Sequence, residues 1–88
     1  MDSLPEKHFE KALASYQSGT KASELIQDFE EITSSTPNLS AGWTCLAWLQ
    51  LLCDKSDAAL TSARTAVKLS PQDPQARINL CLALLETK

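Results

Sequence analysis

Pro37 and Pro71 each directly follow a hydroxyl residue, Thr36 or Ser70, at the end of an amphipathic stretch. Proline cannot continue a helix, and the residue before it avoids the helical region. The two prolines are therefore fixed stops. Between them, Ser40 to Pro71 holds two apolar-rich runs separated by the polar break Asp54-Lys55-Ser56-Asp57. Two helices and a turn fill that space. The interval from Pro37 to Pro71 matches a helix-turn-helix repeat unit of about 34 residues.

The rest of the composition agrees with an all-α chain. Only 2 glycines interrupt 88 residues, and the long runs are rich in Ala, Leu, Glu, Lys and Gln, which favour helix over sheet. This length allows one small domain, which buries a limited share of its surface. The net charge is −3 and the eight basic residues are scattered, so no basic patch for nucleic-acid phosphates is expected. The three cysteines form no CxxC pair; they read as buried free thiols of a reducing compartment. Met1 to Lys7 lacks the apolar centre of a secretory signal. No apolar run approaches the ~20 residues needed to cross a bilayer. A cytoplasmic protein without a membrane span is the expectation.

Taken in order, the chain predicts five helices. Ser3-Leu4-Pro5-Glu6 has the form of a capping box with a first-turn proline. Phe9, Ala12, Leu13 and Tyr16 then mark one helical face, and Gly19 is the expected stop. Thr20 is the expected cap of a second helix with the stripe Leu25, Ile26, Phe29, Ile32. Asn38 or Ser40 is expected to cap the third, whose apolar residues Trp43, Leu46, Ala47, Trp48, Leu49, Leu51 and Leu52 cover two faces. That breadth predicts a central helix. Ser56 is the candidate cap of the fourth, which buries Ala59, Leu60, Ala63, Ala66 and Val67. Its expected water side is Thr61, Ser62, Arg64 and Lys68. Asp73 before Pro74 caps the fifth, and Ile78 to Leu85 is apolar nearly all round.

This pattern resembles the tetratricopeptide repeat, with units at about 6–39, 40–73 and 74–88 of a single domain. Phe9 and Trp43 match the family's bulky aromatic early in the first helix of a unit, and Leu46-Ala47 its large-small pair. Ala59, Ala63 and Ala66 sit at the second helix's small, aromatic and small positions. Pro37 and Pro71 match the closing proline. Departures are Ala12-Leu13, reversed in size, Gln50 in an aromatic position, and Arg77 where the third unit needs its aromatic. The resemblance implies a right-handed α-α superhelix of antiparallel hairpins, about two and a half repeats. It also implies a concave groove lined by first helices. Carried over, the groove is Lys7, Glu10, Ala14 and Gln17 at one end, then Ala41, Thr44, Cys45, Trp48, Leu51 and Leu52. At the far end it takes in Gln75, Ile78, Asn79, Leu82 and Leu85. The residues expected to touch a partner are Thr44, Trp48, Leu51, Leu52, Ile78, Asn79, Leu82 and Leu85. Glu10, Ala14 and Trp48 stand where the family's carboxylate clamp needs Lys, Asn and Asn, so a chaperone tail is not the expected ligand.

Catalysis is not indicated. His8 is the only histidine and lies among charged residues, and no Ser/His/Asp set or phosphate loop appears. Cys45 and Cys53 share a helical face without a further ligand nearby, so neither metal nor cofactor is expected. The function expected is a non-enzymatic module that binds an apolar segment or amphipathic helix of a protein partner. The alternative is a structural piece of a longer array or homo-oligomer, self-associating through 78–85. Trp48 stays open between a groove anchor and packing on the neighbouring first helix.

Overall fold

The structure, a computed structural model, describes residues 21–87 together with Lys11, Ala14 and Gly19. All regular structure among the described residues is α-helical. Four helices follow one another: α1 (Ala22–Ser35), α2 (Ser40–Leu52), α3 (Ser56–Leu69) and α4 (Pro74–Glu86). Of the helix expected before Gly19 only Lys11 and Ala14 are described, both helical and exposed; Phe9, Ala12, Leu13 and Tyr16 lie outside the described residues. So do the cap Ser3, His8, and the groove positions Lys7, Glu10 and Gln17. Thr20 lies outside them too, and the expectation that it caps α1 is corrected: the N-cap is Lys21, without a side-chain cap bond. Gly19 has φ 103°, the left-handed conformation that glycine takes at no steric cost.

The loops repeat with the sequence. The Thr36 amide donates to the Ile32 carbonyl at 2.8 Å, and the Ser70 amide to Ala66 at 2.9 Å. The next turns close by Leu39 N–H to Thr36 and Asp73 N–H to Ser70, both at 3.1 Å. These two bonds of the first loop thus have counterparts in the second, at the interval that separates Pro37 from Pro71. Both loops hold a proline as their second residue, where no amide is needed.

The caps follow the expectations only at α4. There Asp73 Oδ1 accepts from the Gln75 amide at 3.0 Å, with Pro74 opening the helix. Neither Asn38 nor Ser40 caps α2: its N-cap is Leu39, without a side-chain cap bond, and Ser40 is already helical. Leu39 packs against the apolar core instead, so burial fixes where α2 begins. Ser56 likewise opens α3 as a helical residue, behind Lys55 as N-cap. At the other end of α2 the chain reverses through Asp54, at φ 61°. The Lys55 amide reaches back to Gln50 at 2.8 Å and the Asp54 amide to Leu51 at 3.2 Å. These are the two bonds of a Schellman ending, made here without glycine.

The core lies between α1 and α2. Leu25, Ile26, Phe29 and Ile32 meet Leu46 and Leu49, and Trp43 packs half-buried against them. Burying each large side chain is worth about 1.5–3 kcal/mol. The Trp43 ring also donates from Nε1 to the Pro37 carbonyl at 2.9 Å, tying helix to loop. Gly42 lets the two helices close: a Cβ there would stand 3.2 Å from Ile32 Cγ2.

α2 packs on α1, α3 and α4, and of its residues only Leu52 is exposed. The expectation of a central helix therefore holds. α3 buries Ala59, Ser62, Ala63 and Ala66 between α2 and α4. Leu60 and Val67, expected in the core, are only half-buried, whereas Ser62, expected on the water side, is buried. Its hydroxyl donates to the Gln50 Oε1 of α2 at 2.8 Å, and both side chains are buried.

Candidate functional site

The candidate site is the surface that α2 and α4 form together. α4 is held on α2 by Asn79, which is fully buried and donates from Nδ2 to the Thr44 carbonyl at 3.0 Å. Gln75 Nε2 in turn donates to Asn79 Oδ1 at 2.9 Å. The amide of Asn79 thus has partners on both its donor and acceptor sides, as a buried polar group requires.

These bonds settle the eight expected groove residues into two groups. Thr44 and Asn79 are buried and face another helix rather than solvent. Their place in an open groove is corrected, because the close α2–α4 approach that the groove needs is made through them. The other six reach the surface. Trp48 and Leu51 are half-buried. Leu52 is 50 % exposed, Ile78 51 %, Leu82 38 % and Leu85 64 %. Ile78, Leu82 and Leu85 are spaced four and three apart, so they share one stripe of α4. Ala14, expected at the polar end, is exposed. Ala41 and Cys45 are half-buried, and Gln75 is exposed with its side chain turned to Asn79.

Sequence reasoning missed both buried polar ties, Gln50–Ser62 and Thr44–Asn79. The signal was present: Asn79 is the one polar residue inside an apolar run, and Gln50 fills a position where an aromatic was awaited. A polar residue at a core position points to a partner on the facing helix.

The chemistry at this surface is that of apolar contact. Cys45, Cys53 and Cys81 are free thiols, but the expectation that they are buried is corrected: Cys45 and Cys53 are half-buried and Cys81 is exposed. Burial pushes the Cys45 thiol up to about 11, and the Asp73 carboxylate pushes it the same way. Thiolate, the nucleophile, is therefore scarce there at neutral pH. Among the described residues no three His, Cys, Asp or Glu side chains are grouped to hold a metal ion. Also among them, no helix is long and apolar enough to cross a membrane.

Comparison with protein-family models and with curated proteins finds no match to this chain.

Proposed function

We propose that this chain is a non-catalytic interaction module of tetratricopeptide-like hairpins, units at about 6–39, 40–73 and 74–88, stacked as a right-handed superhelix. Its groove takes an apolar segment or the apolar face of a helix from a protein partner. The observation that carries this reading is the accessible stripe Ile78, Leu82 and Leu85 on α4, a helix packed on α2, whose Trp48, Leu51 and Leu52 also reach the surface. Apolar side chains gathered on adjoining helices are a surface that water covers at a cost, which a partner relieves. The loop bonds that recur from one unit to the next, and the packing of α2 on both its own hairpin mate and the following unit, support the stacked arrangement. Three free thiols suit a reducing compartment such as the cytoplasm.

The test is a double replacement, Trp48→Ala with Leu82→Ala. Partners captured by the intact chain are compared with those captured by the variant, whose helicity is checked by circular dichroism. The module reading expects the partner to be lost while helicity stays. A folded variant that keeps its partner removes the groove from consideration. Sedimentation adds a second check: a monomer is expected, and a stable dimer closed through 78–85 would favour an assembly role instead.

A further inference from the structure

We infer that α4 is a hinged helix: it detaches from α2 and α3 as a unit, turning on the loop 70–73, while α1 to α3 stay folded. Closed, it completes the surface that α2 and α4 form together. Open, it carries Ile78, Leu82 and Leu85 away from that surface and uncovers the Thr44 carbonyl that Asn79 holds. The inference needs no partner and does not rest on the groove reading.

The two sides of α2 are held by different kinds of contact. Toward α1 the contact is made by large side chains: Leu25, Ile26, Phe29 and Ile32 are buried against Leu46 and Leu49. What α4 buries is Ala76, Asn79 and Ala83. The buried residues of α3 are as small: Ala59, Ser62, Ala63 and Ala66. Hydrophobic stabilisation follows the apolar area removed from water. Two alanine methyls on α4 therefore contribute far less than four large side chains on α1. Leu80 adds a half-buried side chain, while Ile78, Leu82, Leu84 and Leu85 are exposed. The remaining hold is the Asn79 bond, whose net worth is modest because water replaces it on opening.

The loops differ in the same sense. Leu39 packs into the core, and the Trp43 ring donates to the Pro37 carbonyl at 2.9 Å. Side chains thus pin the α1–α2 loop. One repeat later those two positions are Asp73 and Arg77. Asp73 caps its own helix, and Arg77 is exposed. The loop bonds from the Ser70 amide to Ala66 and from the Asp73 amide to Ser70 are local, so they survive a swing of α4. α3 stays behind, because it packs more extensively on α2 than on α4 and holds the buried Ser62–Gln50 bond. Once free, α4 has 13 residues, a length at which an isolated helix is marginal in water. Opening therefore melts it.

The test is hydrogen exchange of the intact chain in urea below its unfolding transition. Amides of residues 80–85 should exchange through one common opening, at least about a hundredfold faster than those of Phe29, Ile32, Leu46 and Leu49. The urea dependence of that opening should lie between zero and that of the α1–α2 amides, since the slope follows the surface exposed. Ile32→Val weakens the closed and open forms alike. It should speed the α1 and α2 amides about two- to tenfold and leave those of α4 unchanged. Asn79→Ala weakens the closed form alone, so it should speed both sets by one common factor. Equal protection and equal urea slopes in α1, α2 and α4 would overturn the inference, as would α4 amides that quicken with Ile32→Val. Exchange at 80–85 without urea dependence would reduce the opening to fraying, and unprotected amides there would leave no closed form; either result removes the hinge.

Discussion

Asn79 on α4 and Thr44 on α2 are joined by one hydrogen bond of 3.0 Å between a side-chain amide and a main-chain carbonyl. It is the tie that makes a single surface of the two helices lining the candidate groove. Because the bond ends on the backbone, it is indifferent to the side chain at 44 and depends wholly on Asn79. Replacing Asn79 by alanine removes this bond, leaves the Thr44 carbonyl without its donor, returns the exposed Gln75 amide to water, and leaves a void. A loss of about 2–3 kcal/mol is expected from the bond and the void together. Asn79→Asp should cost more at neutral pH, because an ionised carboxylate cannot donate to Thr44 and would be buried unpaired. Urea unfolding of both variants checks the order; an alanine variant with an unshifted midpoint would show that the tie is dispensable.

The Ser62–Gln50 pair makes the same kind of link from α3, but both of its partners are side chains. That difference can be measured. Ser62→Ala leaves Gln50 Oε1 buried without its donor, at about 1–3 kcal/mol. Gln50→Leu should cost less, because the Ser62 hydroxyl can turn to the Ala58 carbonyl of its own helix, as Thr65 does to Thr61. Removing both polar groups should recover much of the loss, since no orphan then remains. A double-mutant cycle on the unfolding free energies reads this directly, and strictly additive losses would contradict the coupling.

Asp54 gives the opposite opportunity. It sits at φ 61° to turn the chain between α2 and α3, a conformation that strains any residue with a Cβ. Its side chain is exposed. Asp54→Gly should therefore stabilise by about 0.5–1 kcal/mol, the benefit of an unstrained left-handed residue less the added freedom of the unfolded chain. A raised melting temperature with unchanged helicity is the expected result; a lowered one would show that the aspartate has a role in the turn beyond its backbone.

How far the sequence could be read depends on what each residue interacts with. Helix ends marked by Pro37, Pro71 and the Asp73-Pro74 pair were legible, because those signals act within one or two residues. So was the central position of α2, which follows from apolar residues on more than one face. The starts of α2 and α3 were not legible as caps: Leu39 is held by burial in the core, a tertiary contact that overrides the neighbouring Asn38 and Ser40. Asn79 and Ser62 escape notice for a related reason. Periodicity assigns each to an open surface, whereas a facing carbonyl or amide 35 or 12 residues away gives it a buried partner. The apolar runs of α2 and α4 look alike in sequence, yet one is enclosed and the other carries Ile78, Leu84 and Leu85 exposed. Periodicity reports what a helix offers to its surroundings, and neighbouring elements decide what is covered.

Cys45 ties the candidate surface to a measurable pH dependence. Its thiol is pushed up to about 11, first by burial and then by the Asp73 carboxylate at the start of α4. A folded-state value above the unfolded one means that the folded chain holds this proton more tightly. The resulting stability is fully present below the unfolded value near about 8.5. It is lost as pH rises from there through about 11. Unfolding free energy should accordingly fall across that interval. Cys45→Ala should flatten the part of the fall due to this thiol. The same burial sets an order of thiol reactivity at mildly alkaline pH, with exposed Cys81 alkylated first and Cys45 last. Mass spectrometry of a timed alkylation reads that order. Cys45 reacting as fast as Cys81 would mean that the α2–α4 contact opens on the timescale of the reaction, and that Asn79 does not hold it shut.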